Sequence, residues 1–132
     1  MTQVEIEIPS RSVFVGVVRL ALASLARSVG LSEESVDDLK IAVGEACANA
    51  VIAAEETSPE TPVSVNWKQE PERVVIEIGG RGRPYAQDGD GPEGDFAARM
   101  RMSLDLLESL VDSCEVAARP EGGMCARLVI NL

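Results

Sequence analysis

The segment Asp38–Ile52, reading Asp-Leu-Lys-Ile-Ala-Val-Gly-Glu-Ala-Cys-Ala-Asn-Ala-Val-Ile, constrains this chain more than any other. It reads as a helix that carries two polar residues where its apolar stripe should continue. At 3.6 residues per turn, Ile41, Glu45, Asn49 and Ile52 share one face. A carboxylate and a carboxamide on that stripe must meet partners or line a polar cavity, because burying either unpaired is costly. Four residues apart, their oxygens can converge on one point, such as a hydrated magnesium ion under a nucleotide. The alternative is a helix edge with two solvated side chains, and spacing alone favours it.

The rest of the chain supplies a setting for that helix. Val4, Ile6 and Ile8 alternate with Glu5 and Glu7, which predicts a half-buried strand ending at Pro9. Ser10 is placed to cap a helix over residues 11–29, with Gly30 as its stop. Ser32 opens a second helix running to about Glu55, and Glu33 and Glu34 in its first turn complement the macrodipole. Val63, Val65 and Trp67, then Val74, Ile76 and Ile78, form a hairpin about Glu70-Pro71-Glu72. A loop rich in Gly, Pro and Asp spans residues 79–94 and is expected to be mobile. A third helix over 95–111 sets Met100, Leu104, Leu107 and Val111 on one side, and a last hairpin turns at Glu121-Gly122-Gly123. The order β-α-α-β-β-α-β-β predicts an α/β two-layer sandwich, with helices on one face of a mixed, mainly antiparallel sheet. Residues 1–132 are expected to form one domain.

Composition narrows the class of partner. Aromatic residues make up only 3% of the chain, so the core must be built from Val, Leu, Ile and Ala. Acidic residues outnumber basic ones 22 to 12, a net charge of −10 that repels nucleic acid and anionic lipid and favours basic protein surfaces. Direct DNA binding is therefore not expected. Cys47, Cys114 and Cys125 show no metal-ligand spacing and suit small buried thiols in a reducing cytosol. The N-terminus lacks the basic start and apolar run of a signal peptide, and the apolar region 13–26 is broken by Arg19. A soluble cytoplasmic protein with no membrane span is expected.

The run Leu39–Ile52 resembles the N-box of the anti-sigma-factor serine kinases, a branch of the GHKL (Bergerat-fold) ATPases. The resemblance implies that Glu45 is the general base and Asn49 a magnesium ligand. It extends from about Ser10 to Leu132 and implies the same α/β sandwich. There are departures. Ala53-Ala54-Glu55 stands where the family has His-Ala-Tyr or His-Gly-Tyr. Gly82 matches a family glycine, but Gly80 stands in place of the Asp that reads adenine. The second glycine box keeps its tail, Leu104-Asp105-Leu106-Leu107-Glu108-Ser109-Leu110-Val111-Asp112, yet its glycine places hold Met100, Arg101 and Ser103. Side chains there would crowd phosphates that glycine backbone normally cradles.

The candidate nucleotide contacts are accordingly Asn49, Gly82, Arg81, Arg101 and Ser103. Arg81, Arg83, Arg99 and Arg101 either reach phosphate or an acidic partner, or pair with Asp88, Asp90, Glu93 and Asp95 on a solvated surface, the commoner outcome. What the resemblance implies is an anti-sigma factor that sequesters an alternative sigma factor and yields it to a STAS-domain anti-anti-sigma protein, often as a homodimer. With an eroded site, ATP and magnesium are expected to bind weakly or not at all. The alternative is a working serine kinase that phosphorylates its antagonist.

Overall fold

The computed structural model describes residues 2–57, 60–80, 93–118 and 124–132, with the side chains of 56–57, 80, 93–101, 117–118 and 124 left aside. Among the described residues, five strands and three α-helices follow one another as β1 (Thr2–Ile8), α1 (Val15–Ser28), α2 (Glu33–Thr57), β2 (Val63–Gln69), β3 (Arg73–Gly80), α3 (Glu93–Leu110), β4 (Ser113–Ala118) and β5 (Met124–Asn131). A single 3-10 turn, Ser12–Phe14, leads into α1. The element order is the one expected.

Alternation along the strands sets the register. Val4, Ile6 and Ile8 of β1 stand opposite Trp67, Val65 and Val63 of β2. Trp67 and Val65 then face Ile76 and Ile78 of β3, and Val74, Ile76 and Ile78 face Ile130, Leu128 and Ala126 of β5. A slip by one residue would turn every one of these side chains to the other face, so the pattern fixes the pairing. Their shared face packs under the helices in one core with Leu22, Leu39, Val43 and Val51. Each fully buried Leu, Ile or Val contributes roughly 1.5–3 kcal/mol. The opposite face carries the ion pairs Lys68–Glu77 (2.6 Å) and Arg127–Glu115 (3.4 Å).

Three expectations need correction. The sheet, in the order β1-β2-β3-β5-β4, is not mixed: all four pairings are antiparallel. β3 and β4 do run the same way, as a single helical crossover demands, but β5 inserts between them and pairs antiparallel with both. Ser10 caps no helix. It is 4% exposed, and its hydroxyl donates to the carbonyl of Thr61, tying the end of β1 to the approach of β2. Of the cysteines only Cys47 is buried; Cys114 and Cys125 are half-buried, and all three thiols are free.

The turn between the first two helices behaves as its sequence demands. Leu31 N–H reaches the Ala26 carbonyl and Gly30 N–H the Arg27 carbonyl, a Schellman closure that requires the left-handed φ of +86° at Gly30. Ser32 Oγ accepts from Ser35 N–H at 3.1 Å and caps α2. The chain turns back on itself, and α1 packs along α2. Among the described residues no helix is long and apolar enough to cross a membrane.

Candidate functional site

The core stripe of α2 runs through Val36, Leu39, Val43, Ala46, Cys47, Val51 and Ala54, each 3% exposed or less. This is not the stripe read from the sequence. Ile41 is 51% exposed, so Glu45 and Asn49 do not interrupt the core face; they border it. Both are half-buried, on the flank that meets α3.

There they find a common partner. Asn49 Nδ2 donates to Ser103 Oγ at 2.6 Å, and Ser103 Oγ donates to Glu45 Oε1 at 2.9 Å. Chemistry fixes the direction of this chain. An ionised carboxylate can only accept, so the serine proton goes to Glu45 and Asn49 must present its nitrogen to the serine oxygen. Ser103 is 3% exposed, whereas its neighbour Met102 is 73% exposed. The two residues leave α3 on different sides, Met102 toward solvent and Ser103 toward α2. Ser103 lies one turn before Leu107, which is 1% exposed and belongs to the core. Glu45 and Asn49 thus converge on one point, as their spacing allows, and a serine hydroxyl occupies it.

The other candidates are distributed differently. Arg81 and Gly82 lie outside the described residues, as do Arg83 and most of the loop 79–94 together with its expected mobility. Arg101 lies on α3, and its side chain is outside the described set, with those of Arg99 and Met100. Ser103 is the residue whose contacts the sequence reading missed. A signal was available: on an amphipathic helix, a serine one turn from a core leucine faces inward and needs a partner.

Asn49 spends its amide nitrogen on Ser103, which leaves the amide oxygen for a hard cation such as magnesium. That donor chemistry fits a metal-nucleotide. The aim does not, because the nitrogen and not the oxygen points at the shared centre. Among the described residues no cluster of three His, Cys, Asp or Glu could hold a metal. Burial pushes the Cys47 thiol up to about 12, and burial together with Glu108 and Glu115 pushes Cys114 up to about 11. Both stay protonated at neutral pH and are poor nucleophiles.

A second surface lies on the first helical segment. Val13, Val17 and Leu20, spaced i, i+4 and i+7, are 70%, 55% and 70% exposed. They form an apolar stripe open to solvent.

Comparison with known proteins places the chain in a family. Residues 8–130 match the model of the histidine kinase-like ATPase domain family. The serine-protein kinase RsbW of Bacillus licheniformis is 33% identical over 122 residues, covering 86% of this chain and 76% of that protein. RsbW of Oceanobacillus iheyensis is 34% identical over 128 residues, covering 86% of this chain and 77% of that protein. A crystal structure of the RsbU and RsbW domains of a Mycobacterium tuberculosis protein superposes with a TM-score of 0.73 at 18% identity. The match covers 98% of this chain but 32% of that longer one, and it shows the shared fold. The chain belongs to the histidine kinase-like ATPase family, in the branch of the anti-sigma serine-protein kinases.

Proposed function

We propose that this chain is an anti-sigma factor in a partner-switching system: it sequesters an alternative sigma factor and surrenders it to a STAS-domain antagonist. The observation that carries this reading is the likeness to the RsbW serine-protein kinases over 86% of the chain. The exposed stripe Val13, Val17 and Leu20 supports a protein partner, since it offers apolar area that a solvated monomer leaves unused. The charge of −10 suits the basic regions of a sigma factor and opposes DNA. The protein acts in the cytoplasm, as one domain, and a homodimer accords with this reading.

Nucleotide binding is weak in this proposal. Asn49 carries the amide oxygen that would ligate magnesium, with Gly82, Arg81 and Arg101 around the phosphates and Ser103 beside the metal position. A bound nucleotide would supply the phosphoryl group. Glu45 is the carboxylate that would take the proton of an acceptor serine hydroxyl. The loss of the adenine-reading Asp at Gly80 removes a charged hydrogen bond worth roughly 1.5–3 kcal/mol, or one to two decades of affinity. A working kinase is the second reading, favoured by the retained pair Glu45 and Asn49.

Co-purification of candidate sigma factors with wild type and Glu45→Ala, followed by phosphate transfer to the antagonist, separates the two. The anti-sigma reading expects sigma capture by both proteins. The kinase reading adds phosphate transfer that Glu45→Ala abolishes. Capture of no sigma factor by either protein would remove the anti-sigma reading.

A further inference from the structure

We propose that Ser103 is a built-in stopper of the nucleotide site, its hydroxyl occupying the point on which Glu45 and Asn49 converge and holding both against the entry of a metal-nucleotide. The proposal rests on the reading of Glu45 and Asn49 as the metal end of that site, and it names the residue that sets the site's affinity.

Three observations carry it. The first is occupancy: one hydroxyl accepts from Asn49 Nδ2 at 2.6 Å and donates to Glu45 Oε1 at 2.9 Å, so both polar residues that border the α2 core stripe are engaged by a single group. The second is orientation. With its nitrogen turned to Ser103, Asn49 presents an N–H donor and not its oxygen to the centre, and a donor repels a cation. A magnesium ion held by Asn49 would need the amide turned over and the hydroxyl moved aside or recruited as a ligand. The third is burial. Ser103 is 3% exposed, so water reaches its hydroxyl poorly even though Glu45 and Asn49 are half-buried. Ser103 also lies far from both in the sequence, 54 positions from Asn49 and 58 from Glu45, so the cluster fastens α3 to α2 across the fold.

A glycine at this position has no side chain and leaves Glu45 and Asn49 open toward the same point. Alanine keeps the helix and a similar volume but removes the hydroxyl. In both cases the carboxylate and the amide lose their internal partner, and a metal-nucleotide no longer has to displace one. Weak nucleotide binding in the wild type then has a specific local cause, separate from the missing adenine contact.

The test is a calorimetric titration of Mg-ATP and Mg-ADP into the full chain as wild type, Ser103→Ala and Ser103→Gly, with thermal melting of each to establish folding. The two variants are expected to bind about tenfold to a hundredfold more tightly than wild type, the worth of one or two polar contacts. Adding Asn49→Ala to Ser103→Ala should remove the gain. Without nucleotide, Ser103→Ala should melt below wild type, because it leaves Glu45 and Asn49 without their shared partner. If glycine loosens the helix, Ser103→Ala alone carries the comparison. Folded variants that bind no more tightly than wild type would overturn the proposal. A gain that survives Asn49→Ala would also overturn it, since the released site would then lie elsewhere. So would phosphate found on Ser103 by mass spectrometry after incubation with ATP, which would make the hydroxyl an acceptor and not a stopper. The outcome is separable from the anti-sigma reading: failure to capture a sigma factor would leave these titrations as they are, and sigma capture would not rescue them.

Discussion

The two faces of α2 are built from the same run of sequence and do opposite work. Toward the sheet, Val36, Leu39, Val43, Cys47 and Val51 are 2% exposed or less and close the core over Trp67 and Ile76. Toward α3, Glu45 and Asn49 are half-buried and joined through one serine, while Ile41 on the same side is 51% exposed. The first face holds the fold by dispersion and the removal of apolar surface, terms that are large and non-directional. The second offers a few directed hydrogen bonds whose partners can be exchanged. A helix fixed on one side can thus afford an adaptable polar flank on the other.

The comparison breaks if the two faces respond alike to truncation. Leu39→Ala should cost about 2–5 kcal/mol, because it opens a cavity in a packed core. Ile41→Ala should stay within about 0.5 kcal/mol, as a surface change does. Urea unfolding of the two variants measures this, and similar losses would mean that Ile41 belongs to a buried interface.

Cys47 sharpens the same contrast through pH. Its thiol is pushed up to about 12 in the fold, against roughly 8.5 in an unfolded chain. As pH rises past the unfolded value, the unfolded chain loses this proton while the folded one keeps it. Stability is then unaffected below about pH 8 and falls by about 1.4 kcal/mol per pH unit above 9, until the folded thiol itself ionises. Cys47→Ala should flatten that part of a stability–pH curve. An unchanged slope would show that other groups govern the alkaline limb.

A smaller effect is expected where α2 meets α1. A methyl group at Gly44 would lie 3.1 Å from Cδ of Arg19. Arg19 is exposed and can shift by a few tenths of an ångström. Relief of the glycine's conformational entropy should therefore dominate, and Gly44→Ala should stabilise the protein by about 0.5 kcal/mol, up to about 1. A lower melting temperature would show that the Arg19 stem is held more firmly than its exposure suggests.

How legible these faces were in the sequence depended on the period involved. The strands, with period two and polar alternates such as Glu5, Glu7 and Glu77, showed their faces and the two hairpins, β2 with β3 and β4 with β5, but not the partners of β1. α2 was harder, because Ala42, Val43, Ala46, Ala50 and Val51 form one apolar stripe while Ile41 and Ile52 suggest another. When small apolar residues surround a helix, periodicity does not choose between its sides. Glu45 and Asn49 were legible as a pair. Their partner Ser103 was visible as a departure from a glycine-rich pattern and, from its place one turn before Leu107, as an inward-facing serine, but nothing local says which residue it meets 54 positions away. Ser10 failed for the same reason: its local role as a cap lost to a carbonyl 51 residues distant. β5, last in the chain, enters between β3 and β4, and order alone does not encode that insertion.

The proposed function has this protein capture its partner as a folded surface and leaves the Glu45–Asn49 flank to nucleotide. Titration of a captured sigma factor into wild type and into the Glu45→Ala/Asn49→Ala double variant, both verified as folded by melting, tests it most directly. Equal affinities for the two proteins, weakening together as salt rises, are the predicted result. A folded double variant that no longer binds the sigma factor would contradict it, for the polar flank of α2 would then be the capture surface itself.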